Sequence, residues 1–371
     1  MEQKKRFHTI DALRFFAFLK VYLLHIPLQG QFPFFSFLKS GGGIGVSFFF
    51  VLSGFLITYL LVFEKAQKGQ INLRKFFIRR SLRIYPIFFF LVGTTFLLPN
   101  DIKDAIGFHM IGGGYDLDWK FSFTFMENYK MLLMDNFPKT TPLSVFWSLC
   151  IEEHFYITWM VVLFLIPQKR TLEFLFSCIF LAWTARYLDH IIWQNSIIQQ
   201  NDLFTNMDYF AVGGILGWMV TTKYDRVVKF IESISLLKKY IYILGVIVFV
   251  LFQSQILPEQ LFFLSIIRPT IIAIIFTGLI AIFIPPKSKL RIKDTNLTSY
   301  LGRISFGLYV YHLIFVHLLF QYFLKENILL DDWFTIIIFI ILTFGGTVIV
   351  SVSSFHFLEK PFLKWRNKIH H

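Results

Sequence analysis

The sequence predicts an all-α fold: a polytopic membrane helix bundle of about ten transmembrane helices, with both termini cytoplasmic. Three observations predict it. First, of 371 residues 56% are apolar and 16% charged, where a soluble domain has about 45–50% and about 25%. Second, apolar runs of about 18–22 residues, long enough to cross the hydrocarbon core as a helix, recur along the chain. Third, Lys and Arg alternate between the two sides of these runs. Of the 36 basic residues, 26 fall in connections on the N-terminal side and six on the other. Such asymmetry marks the cytoplasmic face. It also accounts for the net charge of +13 without nucleic acid as a partner. The 49 Phe residues suit lipid-facing and interfacial surfaces.

In order, the runs cover 10–27, 44–63, 83–99, 143–166, 172–193, 204–221, 240–257, 262–284, 303–323 and 334–357. The basic connections are 4–6, 64–83, 167–171, 222–239, 285–303 and 358–371. The one long connection on the opposite side, 100–142, is mixed in charge and carries a turn at Gly112 to Gly114. A lid or acceptor platform is one expectation for this extracytoplasmic loop, an inert connector the other. Cys150 and Cys178 lie in apolar segments and read as packing residues, and no spacing suggests a metal. No cleavable signal peptide is apparent. A single transmembrane domain over 1–371 in the cell membrane is expected.

The first run, DALRFFAFLKVYLLH from Asp11 to His25, carries charges where a lipid-facing helix should have none. At 100° per residue Arg14 and His25 return to within about 20° of each other, and Asp11 lies roughly 60° to the other side of Arg14. The rise separates Arg14 from His25 by about 16 Å. Ionisable groups at that depth usually face a bundle interior, cavity or ligand. Glu152 and Glu153, in WSLCIEEHFY, enter the outer half of the fourth run. Either one beside His25 would form a base–orienter pair; interfacial solvation is the plainer reading. Arg80 and Arg83, in RKFFIRRSLRIYP, sit at i, i+3 and suit phosphate, although such clusters also set topology. Gly and Ser in GIGVSFFFVLSGFLITYLL favour close helix packing. Arg186, Asp189 and His190 suggest a local ion pair, and Asp208 could face the same cavity. Ser305, Tyr309 and His312 share one face of the ninth run. No phosphate-binding Gly–Lys loop, zinc motif or nucleophile elbow is present.

Taken together, these segments resemble the acyltransferase-3 family of integral-membrane O-acyltransferases. Arg14 and His25 reproduce its Arg-x10-His pattern, with Asp11 before it. GVSFFFVLSGFLIT (45–58) is similar to its second-span signature. Arg80 to Arg83 fit its Arg-x-x-Arg pattern, and WSLCIEEHFY resembles its glutamate box, aligning Glu152. LGRISFGLYVYH (301–312) and LEKP (358–361) are also similar. His154 stands where the family often has Gln, and the hydrolase-like domain fused to some members is not expected here. The resemblance implies transfer of an acyl group, most simply acetyl, from acyl-coenzyme A to a hydroxyl of an envelope or exported glycan. Lipopolysaccharide, polysaccharide and lipid-linked sugars are acceptor classes it implies. His25 would be general base or transient acyl acceptor, with Glu152 as support. Arg14, Arg80 and Arg83 would hold the donor. Asp11, Glu153, Asp208, Tyr309 and His312 would support the site, and no cofactor would be permanently bound. The alternative is a transporter or flippase with Arg14, His25 and Glu152 as a proton relay. The internal repeat common in transporters is not found. An assembly partner without chemistry is the third reading, opposed by the cost of burying these charges.

Overall fold

The computed structural model describes residues 7–27, 39, 41, 43–110, 112–194, 197, 201–258, 261–286 and 288–368. The described residues are helical and include no strand. Two isolated bridges, His109 with Thr140 and Tyr115 with Pro138, are their β-type pairings. The helices run α1 (Ile10–Leu24), α2 (Ile44–Lys68), α3 (Leu73–Leu97), α4 (Asn100–Ala105), α5 (Trp119–Phe123) and α6 (Glu127–Met134). Next come α7 (Thr141–Ser144), α8 (Trp147–Leu165), α9 (Thr171–Leu188), α10 (Leu203–Thr222), α11 (Tyr224–Ser233) and α12 (Leu236–Ile256). The last are α13 (Phe262–Ile282), α14 (Leu297–Arg303), α15 (Ser305–Lys325), α16 (Trp333–Ser354) and α17 (Lys360–Lys368). Two π-helical turns, Asp189–Trp193 and Phe355–Glu359, extend α9 and α16.

Every apolar run read from the sequence coincides with a helix. Seven helical stretches are long and apolar enough to cross a membrane among the described residues: Ile44–Lys68, Trp147–Leu165, Gln168–Trp193, Leu236–Ile256, Phe262–Ile282, Ser305–Lys325 and Trp333–Trp365. The chain is therefore a multi-pass membrane protein. Three expected spans fall outside this set. The helix α1 has 15 residues, short for a span by itself. The helix α3 opens with the basic run, and α10 carries several polar residues. The basic residues Lys4, Lys5, Arg6 and Lys287, which enter the charge asymmetry, lie outside the described residues.

The chain divides into two compact units. One comprises Met1–Leu19, Ser40–Leu73 and His154–Arg303; the other comprises Lys20–Lys39, Arg74–Glu153 and Ile304–His371.

In the first unit α2 and α10 touch backbone to backbone. A Cβ on Gly54 would lie 2.1 Å from the Phe210 carbonyl oxygen, and one on Gly213 would lie 2.0 Å from that of Val51. Around this contact Phe210 stacks on Phe155 at 4.0 Å, and the Trp159 indole donates to Thr58 at 2.9 Å. The start of α1 meets α14 as closely: a Cβ on Gly302 would fall 1.6 Å from the Asp11 carbonyl oxygen.

In the second unit α15 and α16 pair through small residues, with Gly307 against Ser351. Thr343, Thr347 and Ser351 return their hydroxyls to carbonyls one turn back in α16, at 2.7, 2.7 and 2.6 Å. Their polar groups are thereby satisfied without water. Tyr22 reaches Thr343 at 2.6 Å. A stack of Phe125, Phe88 and Phe146, with centroids 3.8 and 5.0 Å apart, ties the 100–142 segment to α3. That segment is folded. Glu127 is 1% exposed and accepts from Tyr115 at 2.6 Å and Ser122 at 2.5 Å. Gly107, at φ +72°, lies against Leu318, a contact and a conformation that suit only glycine. Gln321 donates to the His109 carbonyl at 3.2 Å.

Candidate functional site

His25 follows the last residue of α1, in a turn closed by its own N–H onto the Tyr22 carbonyl at 3.1 Å. A helix end leaves its last carbonyls without backbone partners. The His25 ring fills one such vacancy: Nδ1 lies 2.9 Å from the Val21 carbonyl oxygen. The same Nδ1 lies 3.2 Å from Nε2 of His312, on α15. The two rings meet at 60° with centroids 5.0 Å apart. His312 is fully buried, and its Nδ1 is 2.6 Å from the Tyr309 carbonyl oxygen. Beyond His25, Lys39 donates to the Ile26 carbonyl at 2.7 Å and fixes the exit from the turn.

Among the described residues the His25 ring thus bonds Val21 and His312, and neither Glu152 nor Glu153. The Glu152 carboxylate acts electrostatically on Tyr309. The Tyr309 hydroxyl is 2.6 Å from that of Ser148 and donates to the Val145 carbonyl at 3.2 Å. Tyr309, on which Glu152 acts, is also the residue whose carbonyl meets His312 Nδ1. Glu153 is 3% exposed and turns elsewhere. Its Oε2 is 3.5 Å from the Tyr85 hydroxyl, a long hydrogen bond, and Arg80 acts on it electrostatically. Oε1 of Glu153 is buried without a hydrogen-bond partner.

Arg80 and Arg83 each meet a different buried glutamate. Arg83 acts on Glu359, in LEKP, which is 5% exposed with an unpartnered Oε1. Arg80 also stacks over Phe76, its guanidinium carbon 5.6 Å from the ring centre. Sequence reasoning did not single out Glu359 as a site residue, nor His317. His317 lies five residues beyond His312 and acts electrostatically on both His25 and His312. Its Nδ1 is buried without a hydrogen-bond partner. A second histidine on the helix that carries His312 was the available signal.

In the first unit Arg14 pairs with Asp11 at 2.8 Å, as their i, i+3 spacing allows. Of the Arg186, Asp189 and His190 group, Arg186 makes its ion pair on another helix. Arg186 crosses to Asp208 instead, at 2.7 and 3.2 Å, and is 1% exposed. Its remaining donors go to the Ile266 carbonyl at 2.7 Å and to the Thr205 carbonyl. Thr270 donates to Asp208 at 2.5 Å and accepts from Trp183 at 2.8 Å, while His190 bonds Ser265 at 2.7 Å. The planar fork of Arg matches a carboxylate on another helix better than one on its own face. Asp208, fully buried and saturated by donors, acts as a strut among α9, α10 and α13. No group of residues suited to a metal ion occurs among the described residues.

These elements define a helical, multi-pass membrane protein with two histidines in contact, one of them fully buried. The acyltransferase domain of the acyltransferase-3 family matches residues 7–353, and the chain belongs to that family. It is similar to the peptidoglycan O-acetyltransferase OatA of Listeria monocytogenes, 34% identical over 161 residues, 42% of this chain and 24% of that protein. A putative O-acetyltransferase of Staphylococcus aureus is 28% identical over 377 residues, covering 96% of this chain and 57% of its own length. The putative peptidoglycan O-acetyltransferase YrhL of Bacillus subtilis is 33% identical over 160 residues, 42% of this chain and 23% of that one. The chain spans less than two thirds of each of these relatives. No solved structure matches it.

Proposed function

We propose that the protein is a membrane O-acyltransferase that moves an acetyl group from acetyl-coenzyme A to a hydroxyl of a cell-envelope glycan. The observation that carries this reading is the histidine of the Arg-x10-His pattern, its Nδ1 held at the end of α1 between Val21 and His312. In this reading the other nitrogen, Nε2, does the chemistry. The family match and the peptidoglycan O-acetyltransferases among its relatives favour an envelope glycan as acceptor. In this reading His25 takes the proton of the acceptor hydroxyl as its oxygen attacks the thioester carbonyl. The carbon–sulfur bond breaks, coenzyme A thiolate leaves with the electron pair, and the proton passes on to it. A second route has His25 accept the acetyl group first. Arg14, Arg80 and Arg83 supply the positive charge that phosphates of the donor need. Both termini and the basic connections are cytoplasmic, where acyl-coenzyme A is made. Glu152 supports the site through Tyr309.

The test is His25→Ala, purified in detergent and given radiolabelled acetyl-coenzyme A with peptidoglycan fragments. Acetyl transfer to the fragments is expected to fall at least about 100-fold. A folded variant that transfers acetyl at the parental rate overturns the reading.

A further inference from the structure

We infer that His312 is the positioning residue that fixes the working tautomer of His25, placing the reactive lone pair on His25 Nε2. The inference rests on His25 as the reacting base and concerns what aims it.

The argument follows from which atoms can only accept. The Tyr309 carbonyl oxygen has no proton to give, so His312 Nδ1, 2.6 Å away, must be the donor. In a neutral imidazole the other nitrogen is then an acceptor. His312 Nε2 therefore presents a lone pair to His25 Nδ1 at 3.2 Å. The Val21 carbonyl oxygen presents a second, at 2.9 Å from the same nitrogen. With two acceptors facing it, His25 Nδ1 carries the ring proton and shares it between them. The opposite tautomer would set the Nδ1 lone pair against two others. Its cost is an unmade hydrogen bond in a site where water does not compensate. His25 Nε2 is thus left unprotonated.

The task of orienting a catalytic histidine usually falls to a carboxylate. Here a neutral imidazole stands in that position, and it can do one thing a carbonyl cannot. When His25 takes the hydroxyl proton on Nε2, its Nδ1 proton can slide to His312 Nε2. No atom is gained or lost: one N–H bond breaks and one forms, and the positive charge moves one ring deeper. Val21 alone would orient His25 without offering this second station. His317, with a buried and unpartnered Nδ1 and electrostatic contact with both rings, extends the same cluster.

The experiment compares His312→Phe, which keeps a ring and removes the acceptor, with His312→Gln, whose amide oxygen can reach the position of Nε2. The full chain is labelled with 15N-histidine, and the His25 signals are assigned by their loss in His25→Ala. The parent protein should show His25 protonated at Nδ1 and not at Nε2. In His312→Phe this preference should weaken. Its kcat, with acetyl-coenzyme A and peptidoglycan fragments, should fall about 100-fold, with KM for the donor within about twofold. His312→Gln should recover at least about tenfold of the loss. The inference is overturned if the parent carries the His25 proton on Nε2, if folded His312→Phe keeps its kcat, or if His312→Gln is as slow as His312→Phe. Should His312→Phe fail to fold, the parent tautomer and His312→Gln decide. Failure of the transferase reading looks different: His25→Ala itself stays active.

Discussion

Glu127 illustrates what enclosing one carboxyl group does to a surface segment. It lies in the connection between α3 and α8, and burial pushes its pKa above the ordinary 4.5, against the pull of Ser122, Tyr115 and Lys130. The folded state therefore holds a proton that the unfolded chain has released. Stability must fall as pH rises from the unfolded pKa to the folded one, and the contribution is fully present below the unfolded pKa. Glu127→Gln removes the titrating group while keeping acceptor and donor. Relative to the parent, this variant should gain thermal stability as pH rises above 4.5. Melting curves of both proteins at several pH values test this, and parallel pH profiles would refute it. At the same scale, the sequence reveals some partners and hides others. Asp11 with Arg14 was legible because one helix fixes both. His25 with His312 was not, since 287 residues separate them and no period connects their helices. For the same reason Asp208 was not singled out as the partner of Arg186. A local spacing was visible, and the facing helix that carries Asp208 was not.

The helices themselves were legible from length and apolarity, but their facing sides were not. A soluble helix advertises its buried face by an apolar stripe. A helix between lipid and protein is apolar all round, so the stripe vanishes. What remains is the distribution of small residues, where backbones approach. Gly54 was read this way, and its partner surface on α10 completes the pair. Gly213→Val would drive a side chain into the Val51 carbonyl, whose oxygen lies 2.0 Å from the new Cβ. Thermal unfolding in detergent should register a loss of about 1–3 kcal/mol or more. Gly345→Ala, whose Cβ would meet nothing within 4 Å, should be neutral or slightly stabilising. Equal losses at both sites would refute the packing argument. The 100–142 segment was legible only as a loop. Its order comes from pairs such as Tyr115–Glu127 and Phe88–Phe125, which alternate with polar residues too irregularly for any period to report.

Across the whole molecule, the charge asymmetry and the family match make complementary statements. The asymmetry gives an expected orientation, and the match at 7–353 runs through both compact units. Orientation can be checked with two exposed positions on opposite sides of the expected membrane. Lys68 has 63% of its side chain exposed and Asp116 88%. Both native cysteines are buried. In intact cells a membrane-impermeant thiol reagent should label Asp116→Cys and leave Lys68→Cys untouched until the membrane is opened. Labelling of Lys68→Cys alone would invert the topology. The number of spans is hard to read in the sequence, because α1, α3 and α10 carry charge or polarity that dilutes the apolar signal.

The π turn at Phe355–Glu359 has a geometric consequence for the closing segment. A residue inserted into an α-helix turns everything after it by about 100°. Were these eight steps regular α-helix, Glu359 would point about 80° away from Ser351; the π turn takes up one residue, and the two fall within about 20° of one line. The turn is a phase corrector, resetting the angular clock of α16 so that its last carboxyl returns to the buried ridge of Thr343, Thr347 and Ser351. Phe357 is 84% exposed, so its own contacts matter little. Its deletion would return the stretch to regular α-helix with seven steps from Ser351 to Glu359, so the carboxyl should keep its place on the ridge to within about 20°.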